Sequence, residues 1–174
     1  MKLAKDYDSV MGRSADIMKA SLGLDFNDFE SGSVAFDYEG LMKATGYTIE
    51  EVDKIQSRTG VGHTQLLELR NITKLARKYA KPGYGARIFA KDEAANASGS
   101  FKDRRAACAV AHAKKLGYKG VIAATSGNYG AAVASQAAMQ GMKCIIVQEC
   151  YDSHGVGQPE IVEKARKCEA LGAE

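Results

Sequence analysis

Residues 120–130, Gly-Val-Ile-Ala-Ala-Thr-Ser-Gly-Asn-Tyr-Gly, decide the fold, because they join an apolar strand to an alanine-rich helix. Gly120 to Ala124 has the length and apolar character of a short buried strand. The helix is predicted from Asn128 to Gln140 and stops before Gly141, since glycine commonly follows the last helical residue. A buried strand that feeds directly into a helix is the repeating unit of a parallel sheet.

The same unit recurs on both sides of this stretch, with short connections. The further predicted elements are a helix at Asn71–Ala80, a strand at Ala86–Lys91, a helix at Phe101–Leu116, a strand at Lys143–Gln148 and a helix at Pro159–Leu171. This order predicts an α/β fold with a parallel sheet and helices on both faces. The sheet is expected to be incomplete, because the last helix should feed a further strand. Ligands of such sheets bind beyond the carboxyl ends of the strands.

Residues 1 to 60 differ in character from the rest of the chain and are expected to form a helical N-terminal extension. They are charged and lack runs rich in β-forming residues. Ser14 is expected to cap a helix that runs to about Gly23. Thr48 and Glu51 have the spacing of a capping box, and the helix that follows should stop near Gly60.

The composition excludes several classes of function. A net charge of +3, with lysines and arginines dispersed among acids, does not favour nucleic-acid binding. The sequence has no apolar run of the ~20 residues that a membrane helix needs and no signal-like segment, so a cytoplasmic location is expected. The four cysteines form no C-x-x-C pair and should be reduced thiols. Cys150, Asp152 and His154 are spaced so that they could bind a metal, but an ordinary loop is favoured.

The first loop with unusual chemistry runs from Asn96 to Lys102, Asn-Ala-Ser-Gly-Ser-Phe-Lys. It places a lysine at the start of a helix, where the dipole opposes an ammonium and favours the neutral amine. A neutral amine is what Schiff-base formation requires. The alternative is a solvated surface lysine. The Ser98-Gly99-Ser100 sequence, with backbone donors suited to a ligand, favours the functional interpretation.

The second loop is Thr125-Ser126-Gly127-Asn128-Tyr-Gly, directly after the predicted strand. Because it opens a helix, its free N–H groups can hold an anion. The hydroxyls of Thr125 and Ser126 can donate to a carboxylate, and the Asn128 amide can hydrogen-bond a phenolic oxygen. By itself the loop could equally be a glycine-containing turn with a polar cap.

Together the two loops resemble the fold type II pyridoxal 5′-phosphate (PLP) enzymes, which include threonine synthases, cysteine synthases and threonine dehydratases. Val61-Gly-His-Thr-Gln-Leu66 is similar to the V-G-x-T-P-L segment of the same family, although Gln65 stands where proline is usual. The resemblance implies a tryptophan synthase β-like fold and PLP as cofactor. It implies that Lys102 carries the cofactor as a Schiff base and that Asn128 bonds its 3′-oxygen. It also implies that Thr125, Ser126 and Gly127 help to bind the substrate carboxylate.

Three further segments indicate a narrower group. They are Ala-Phe-Asp-Tyr-Glu at 35–39, Ala-Lys-Asp-Glu-Ala-Ala-Asn at 90–96 and Gln-Glu-Cys-Tyr-Asp-Ser at 148–153. These resemble the β subunits of PLP-dependent thiolases, acyltransferases that cleave an amino-oxo acid with coenzyme A in ornithine degradation. The resemblance implies a small α subunit as partner, in a hetero-oligomer. The alternatives are a threonine synthase-like or dehydratase-like lyase and, from another class, a non-catalytic module of the PLP family.

A complete PLP enzyme also needs a glycine-rich loop for the cofactor phosphate and a partner for the pyridine nitrogen. The only candidate phosphate loop is Gly155-Val-Gly157, which is interpreted as a turn. The chain is therefore expected to be an N-terminal fragment that is inactive alone. Its expected divisions are the extension 1–60, the first part of the large PLP domain at 61–95, and the small α/β domain at 96–174.

Overall fold

The structure is a computed structural model that describes residues 12–32 and 35–174. The internal contacts divide the chain into two units between Val52 and Asp53. In the described residues, no helix is both long and apolar enough to span a membrane.

The described residues of the first unit include two helices and a short hairpin ahead of the helix that begins at Ile49. The elements are α1 (Ser14–Leu22), a 3-10 turn (Phe26–Phe29), β1 (Glu30–Ser31), β2 (Ala35–Phe36) and α2 (Tyr38–Ala44). β1 and β2 pair antiparallel, and the rings of Phe26 and Phe36 lie 4.4 Å apart, centroid to centroid. The expected cap at Ser14 is wrong, because Arg13 occupies the capping position and Ser14 is already helical. Gly23 ends α1 in the left-handed conformation, as predicted.

The helix α3 (Ile49–Ser57) begins as its sequence predicts. The backbone N–H of Glu51 donates to Thr48 Oγ1 at 3.2 Å, which is the first half of a capping box. The helix ends at Ser57, three residues before Gly60.

The second unit begins with an antiparallel pair of strands that the sequence did not predict. β3 (Leu66–Glu68) pairs with β4 (Phe89–Lys91), and α4 (Arg70–Tyr79) connects them. The sequence assigned residues 86–91 to the parallel sheet, and that assignment was wrong. Only Phe89 to Lys91 form a strand, and their hydrogen-bonding edge is taken by β3. The strand pattern alone does not show which partner a strand will have.

The parallel sheet consists of β5 (Gly120–Thr125) and β6 (Lys143–Gln148). The strands run in register from the pair Gly120 and Lys143 to the pair Thr125 and Gln148. The accompanying helices are α5 (Lys102–Lys115), α6 (Asn128–Gln140) and α7 (Pro159–Ala170). All five elements begin and end within one residue of their predicted bounds. The carbonyl of Glu174 accepts from the Ile146 N–H at 2.8 Å, so the chain meets β6 again after α7.

Small side chains fill the core between this sheet and its helices. Its buried members come from α5, the two strands, α6 and the end of the chain around α7: Ala106, Val110, Ala123, Ala131, Ala132, Val133, Ala134, Ala137, Cys144, Cys168 and Ala173. Alanines and glycines allow the helices to approach the sheet closely. The described helices cover one face of the sheet. On the other face Ile122, Ile145 and Val147 are exposed.

Candidate functional site

The two unusual loops meet at one edge of the parallel sheet. Helix α5 begins at Lys102, and α6 begins at Asn128, three residues after the end of β5. A short connection joins the end of α5 to the start of β5, so α5 runs antiparallel to that strand. The starts of both helices therefore lie at the carboxyl edge of the sheet, where ligands of α/β folds bind.

Lys102 presents an amine without a competing partner. Its side chain is half-buried, and Nζ lies 4.5 Å from the centroid of the Phe101 ring. Within the described part of the chain, Nζ makes no hydrogen bond or ion pair. Two of the other lysines are engaged: Lys91 Nζ donates to the carbonyl of Thr64, and Lys114 Nζ donates to the carbonyl of Gln140 at 2.6 Å. Among these three lysines, only Lys102 has an amine free for covalent chemistry.

The first loop rests on a buried carboxylate that the sequence analysis did not single out. Asp103 is fully buried, and its Oδ2 accepts from both the N–H and the hydroxyl of Ser98 at 2.7 Å. Between Ser98 and Ser100 the chain turns through Gly99, whose φ of 81° is in the left-handed region that favours glycine. The hydroxyl of Ser100 accepts from the backbone N–H of Lys102 at 3.3 Å. These contacts fix the backbone on both sides of the lysine.

A second network, which is half-buried, joins the first loop to the segment at residues 61–66. Glu93 accepts two hydrogen bonds from the Arg104 guanidinium, at 2.7 and 2.8 Å, and further ones from Thr64 and Asn96. These donors lower the pKa of Glu93 from its ordinary 4.5 to about 2, with the Arg104 hydrogen bonds as the largest cause. Asn96 also accepts from the Gly62 N–H at 2.9 Å. The segment at residues 61–66 therefore supports the loop that leads to Lys102.

In the second loop, Thr125 has a structural task besides the predicted one. Its hydroxyl oxygen accepts from the N–H groups of Gly127 at 3.0 Å and Gly130 at 3.2 Å. The hydroxyl therefore holds the turn together. Ser126 and Asn128 are exposed, and their side chains make no hydrogen bond within the described residues. Of the polar side chains predicted in this loop, these two remain available to a ligand.

Gly130 is required by close packing. A Cβ at this position would lie 2.4 Å from Thr125 Cγ2, which is closer than carbon atoms approach one another, and 3.0 Å from Ile146 Cγ2, which is a tight contact. The same contact shows how near α6 lies to the sheet. It fixes the start of α6 directly above the end of β5.

Two cations flank the second loop, and sequence reasoning missed both. Lys164 of α7 places Nζ 3.3 Å from the position that a Cβ on Gly127 would take. Arg105 of α5 lies over the ring of Tyr129, with Cζ 4.6 Å from the centroid. Neither position carries a local sequence signal, because each side chain comes from a different helix. Together with the start of α6 they favour an anion at this loop.

The donor set fits PLP at the aldehyde and ring-oxygen positions. Lys102 offers an unpaired primary amine and Asn128 an unpaired amide, both at the same edge of the sheet. Residues 155–157 do not offer a phosphate cradle. The N–H groups of His154 and Val156 donate to Asp152 Oδ1, at 2.8 and 2.9 Å, and that of Gly155 donates to the Asp152 carbonyl. The interpretation of this segment as a turn is confirmed.

The same hydrogen bonds bear on the spacing of Cys150, Asp152 and His154. The Asp152 Oδ1 atom accepts two hydrogen bonds from the backbone of its own turn. Across residues 12–32 and 35–174, no group of three or more His, Cys, Asp or Glu side chains is arranged to hold a metal ion.

Comparison with known proteins agrees with this geometry. The family model described as "Pyridoxal-phosphate dependent enzyme" matches residues 57–174. The 2-amino-4-ketopentanoate thiolase beta subunit of Acetoanaerobium sticklandii is 75% identical over 174 residues, which cover 99% of this chain and 37% of that protein. A threonine synthase from a Bacillus species is 40% identical over 111 residues, covering 63% of this chain and 29% of its own length. The chain thus spans less than two fifths of the length of these relatives.

A solved structure extends the comparison to the fold. The crystal structure of cysteine synthase from Entamoeba histolytica superposes with a TM-score of 0.54 at 32% identity, covering 67% of this chain and 32% of that chain. The likeness places the two-stranded parallel sheet and its helices in the fold type II architecture, of which the described residues form a part.

Proposed function

Because this chain belongs to the pyridoxal-phosphate dependent enzyme family, we propose that it is the N-terminal part of a thiolase β subunit. The complete protein would cleave 2-amino-4-oxopentanoate with coenzyme A into acetyl-CoA and alanine. The observation that carries this proposal is the 75% identity to the thiolase β subunit along nearly the whole chain. The unpaired amine of Lys102 at the carboxyl edge of the sheet supplies the chemical group that the reaction needs.

Lys102 has two roles in this proposal. When bound, PLP acts as an electron sink that stabilises negative charge on carbons of the amino acid. Lys102 attaches the cofactor and, as a general base, moves a proton at the substrate α-carbon. Its half-buried position beside the Phe101 ring keeps water from the amine on one side. Asn128 donates a hydrogen bond to the ring oxygen of the cofactor.

The second loop binds the substrate carboxylate. The exposed Ser126 hydroxyl supplies a hydrogen-bond donor, while Thr125 acts from within the loop, where its hydroxyl oxygen accepts from the N–H groups of Gly127 and Gly130 and holds the turn in place. Lys164 and Arg105 add positive potential beside the loop. A carboxylate fits this environment better than a neutral group does.

The reaction transfers the acetyl group of the substrate to the sulfur of coenzyme A. The bond between carbons 3 and 4 breaks, the new bond is a thioester, and the proton of the thiol ends on the methyl carbon of alanine. We propose a small α subunit as the partner in this reaction. The words "beta subunit" in the names of the relatives support a partner without identifying it.

The organisation and location of the protein are also proposals. Residues 61–95 would contribute to the large domain of the complete enzyme and residues 96–174 to its small domain, with residues 1–60 as an extension. A cytoplasmic location is supported by the four cysteines, all of which are free thiols.

The test is an assay of the complete β subunit with its α subunit. Incubation with 2-amino-4-oxopentanoate and coenzyme A should give acetyl-CoA and alanine in equal amounts. Lys102→Ala should abolish both products, and Lys74→Ala, an exposed lysine on α4, should not. If the protein forms no acetyl-CoA but eliminates a β- or γ-substituent from an amino acid, it belongs with the threonine synthase-like lyases of the family.

A further inference from the structure

Helix α7 reaches the loop that precedes Lys102. Lys167 of α7 donates a hydrogen bond from Nζ to the carbonyl oxygen of Ser98 at 2.8 Å, across 69 residues of sequence. We propose that Lys167 is a positioning residue, which holds the Ser98 backbone so that Lys102 keeps its orientation toward the cofactor. The inference rests on the proposed role of Lys102 as the lysine that attaches PLP.

The contact completes the hydrogen bonding of Ser98. Its N–H and hydroxyl donate to the buried Asp103 carboxylate, which immediately follows Lys102 in α5. Its carbonyl accepts from Lys167. Ser98 is therefore held from the inside by the residue next to Lys102 and from the outside by α7. A displacement of Ser98 would be transmitted through Asp103 to the first turn of α5.

The loop has few other external restraints. Gly99 donates to the Asn96 carbonyl, and Ser100 contacts Lys102 and Asp103, so those hydrogen bonds remain within the loop and the start of α5. Among the residues that the structure describes, Lys167 is the only one outside 96–104 that hydrogen-bonds to residues 98–100. Glycine has the largest backbone freedom of any residue type. A loop that turns through Gly99 therefore needs such a restraint to stay in one conformation.

The same helix contacts the second loop. Lys164 lies three residues before Lys167 and therefore on the same side of α7, and its Nζ lies beside Gly127. One face of α7 thus contacts both loops of the candidate site. Helix α7 therefore fixes the positions of the two loops relative to each other.

The test compares Lys167→Met, which keeps the length and loses the charge, with Lys167→Arg, which keeps a donor, in the complete β subunit with its partner. Arg166→Met, an exposed cation on the same helix, is the matched control. Hydrogen exchange of the peptide at residues 96–101 is measured in the cofactor-free protein. The rate of PLP attachment is then followed by absorbance, and kcat and KM are measured for the holoenzyme.

In the Lys167→Met variant, the backbone amide hydrogens of residues 96–101 should exchange faster, and PLP should attach more slowly. It should lower kcat by about three- to tenfold, as expected for one charge-assisted hydrogen bond that is partly exposed, and leave KM within about twofold. Lys167→Arg should restore most of each value, and Arg166→Met should match the unaltered protein. If Lys167→Met fails to fold, Lys167→Leu replaces it, because leucine likewise has no group that can donate to the Ser98 carbonyl.

The proposal would be overturned if Lys167→Met had the same hydrogen-exchange rates and the same rate of PLP attachment as the unaltered protein. Equal loss in Lys167→Arg and Lys167→Met would also overturn it, since a donor would then be irrelevant. Absence of acetyl-CoA formation in every variant, the unaltered protein included, would instead reject the thiolase function. The exchange and attachment rates would still decide the role of Lys167.

Discussion

Arg104 and Glu93 form a bidentate ion pair, with Nε 2.7 Å from Oε2 and Nη2 2.8 Å from Oε1. The pair joins the first turn of α5 to a short 3-10 turn (Glu93–Ala95) that precedes the loop from Asn96 to Lys102. Paired hydrogen bonds of this kind fix orientation as well as distance, which a single contact does not. The pair therefore orients the start of α5, from which Lys102 projects.

Glu93→Gln should therefore destabilise the protein in a pH-dependent way. At pH 7 we expect a loss of about 2 kcal/mol in the free energy of unfolding, since hydrogen bonds to charged groups contribute about that much. Because the folded-state pKa is lowered from 4.5 to about 2, the contribution is complete above pH 4.5 and disappears as the pH falls toward 2. The difference between the two proteins in urea unfolding should shrink across that interval.

Glu68→Gln is the control for this prediction. Glu68 pairs with Arg87 at 3.1 Å, but the Arg87 side chain is 59% exposed, so solvent screens this pair and it should contribute less than the pair of Glu93 and Arg104. If both variants lose the same free energy of unfolding at pH 7, the bidentate geometry of Glu93 and Arg104 adds no stability beyond that of an exposed ion pair.

Borohydride reduction of the holoenzyme should attach the pyridoxyl group to Lys102. The Lys102 amine makes no hydrogen bond or ion pair within residues 12–32 and 35–174, whereas those of Lys91 and Lys114 hydrogen-bond to carbonyl groups. Peptide mapping by mass spectrometry checks the position. Lys102→Ala should fold, because a helix-start lysine contributes little packing, and should lose turnover by about a thousandfold or more. A label on Lys91, Lys114 or Lys115 would reject the assignment.

Asn128→Ala should alter the absorption of the bound cofactor without releasing it. The side chain is exposed at the first residue of α6 and makes no hydrogen bond within the described residues, so its removal should leave stability within about 0.5 kcal/mol. Loss of a donor to the ring oxygen should change the pH at which the absorption shifts. A titration by absorbance that matches that of the unaltered protein would exclude this role.

Gly130→Ala should destabilise the protein by about 1–3 kcal/mol, because the added methyl would overlap Thr125 and press on Ile146. It should also weaken substrate binding, since Thr125 holds the second loop. Thermal unfolding and KM measure the two effects. The double variant Thr125→Ser and Gly130→Ala removes the methyl that is struck and keeps the hydroxyl. It should recover part of both losses, and no recovery would contradict the packing argument.

Much of the fold could be predicted from local sequence. The starts of α5 and α6, the strands β5 and β6 and the helix α7 follow from apolar runs, alanine-rich segments and terminal glycines and proline. The position of Lys102 at a helix start follows from the same signals. Each of these predictions depends on residues only a few positions apart in the sequence, so none of them requires knowledge of the tertiary fold.

Only the tertiary structure shows which strands pair and which distant side chains contact each other. Nothing local shows that β4 pairs with β3, and nothing local distinguishes Lys167, which reaches Ser98, from other lysines on helix surfaces. The Thr125 hydroxyl could face a ligand or its own turn, and only the fold of the loop determines that it accepts from Gly127 and Gly130. The sequence by itself determined the helices and strands from α5 to α7 and the two loops of the candidate site, but not β3. Contacts between residues far apart depend on how those elements pack, because a side chain's partner is set by distance in space.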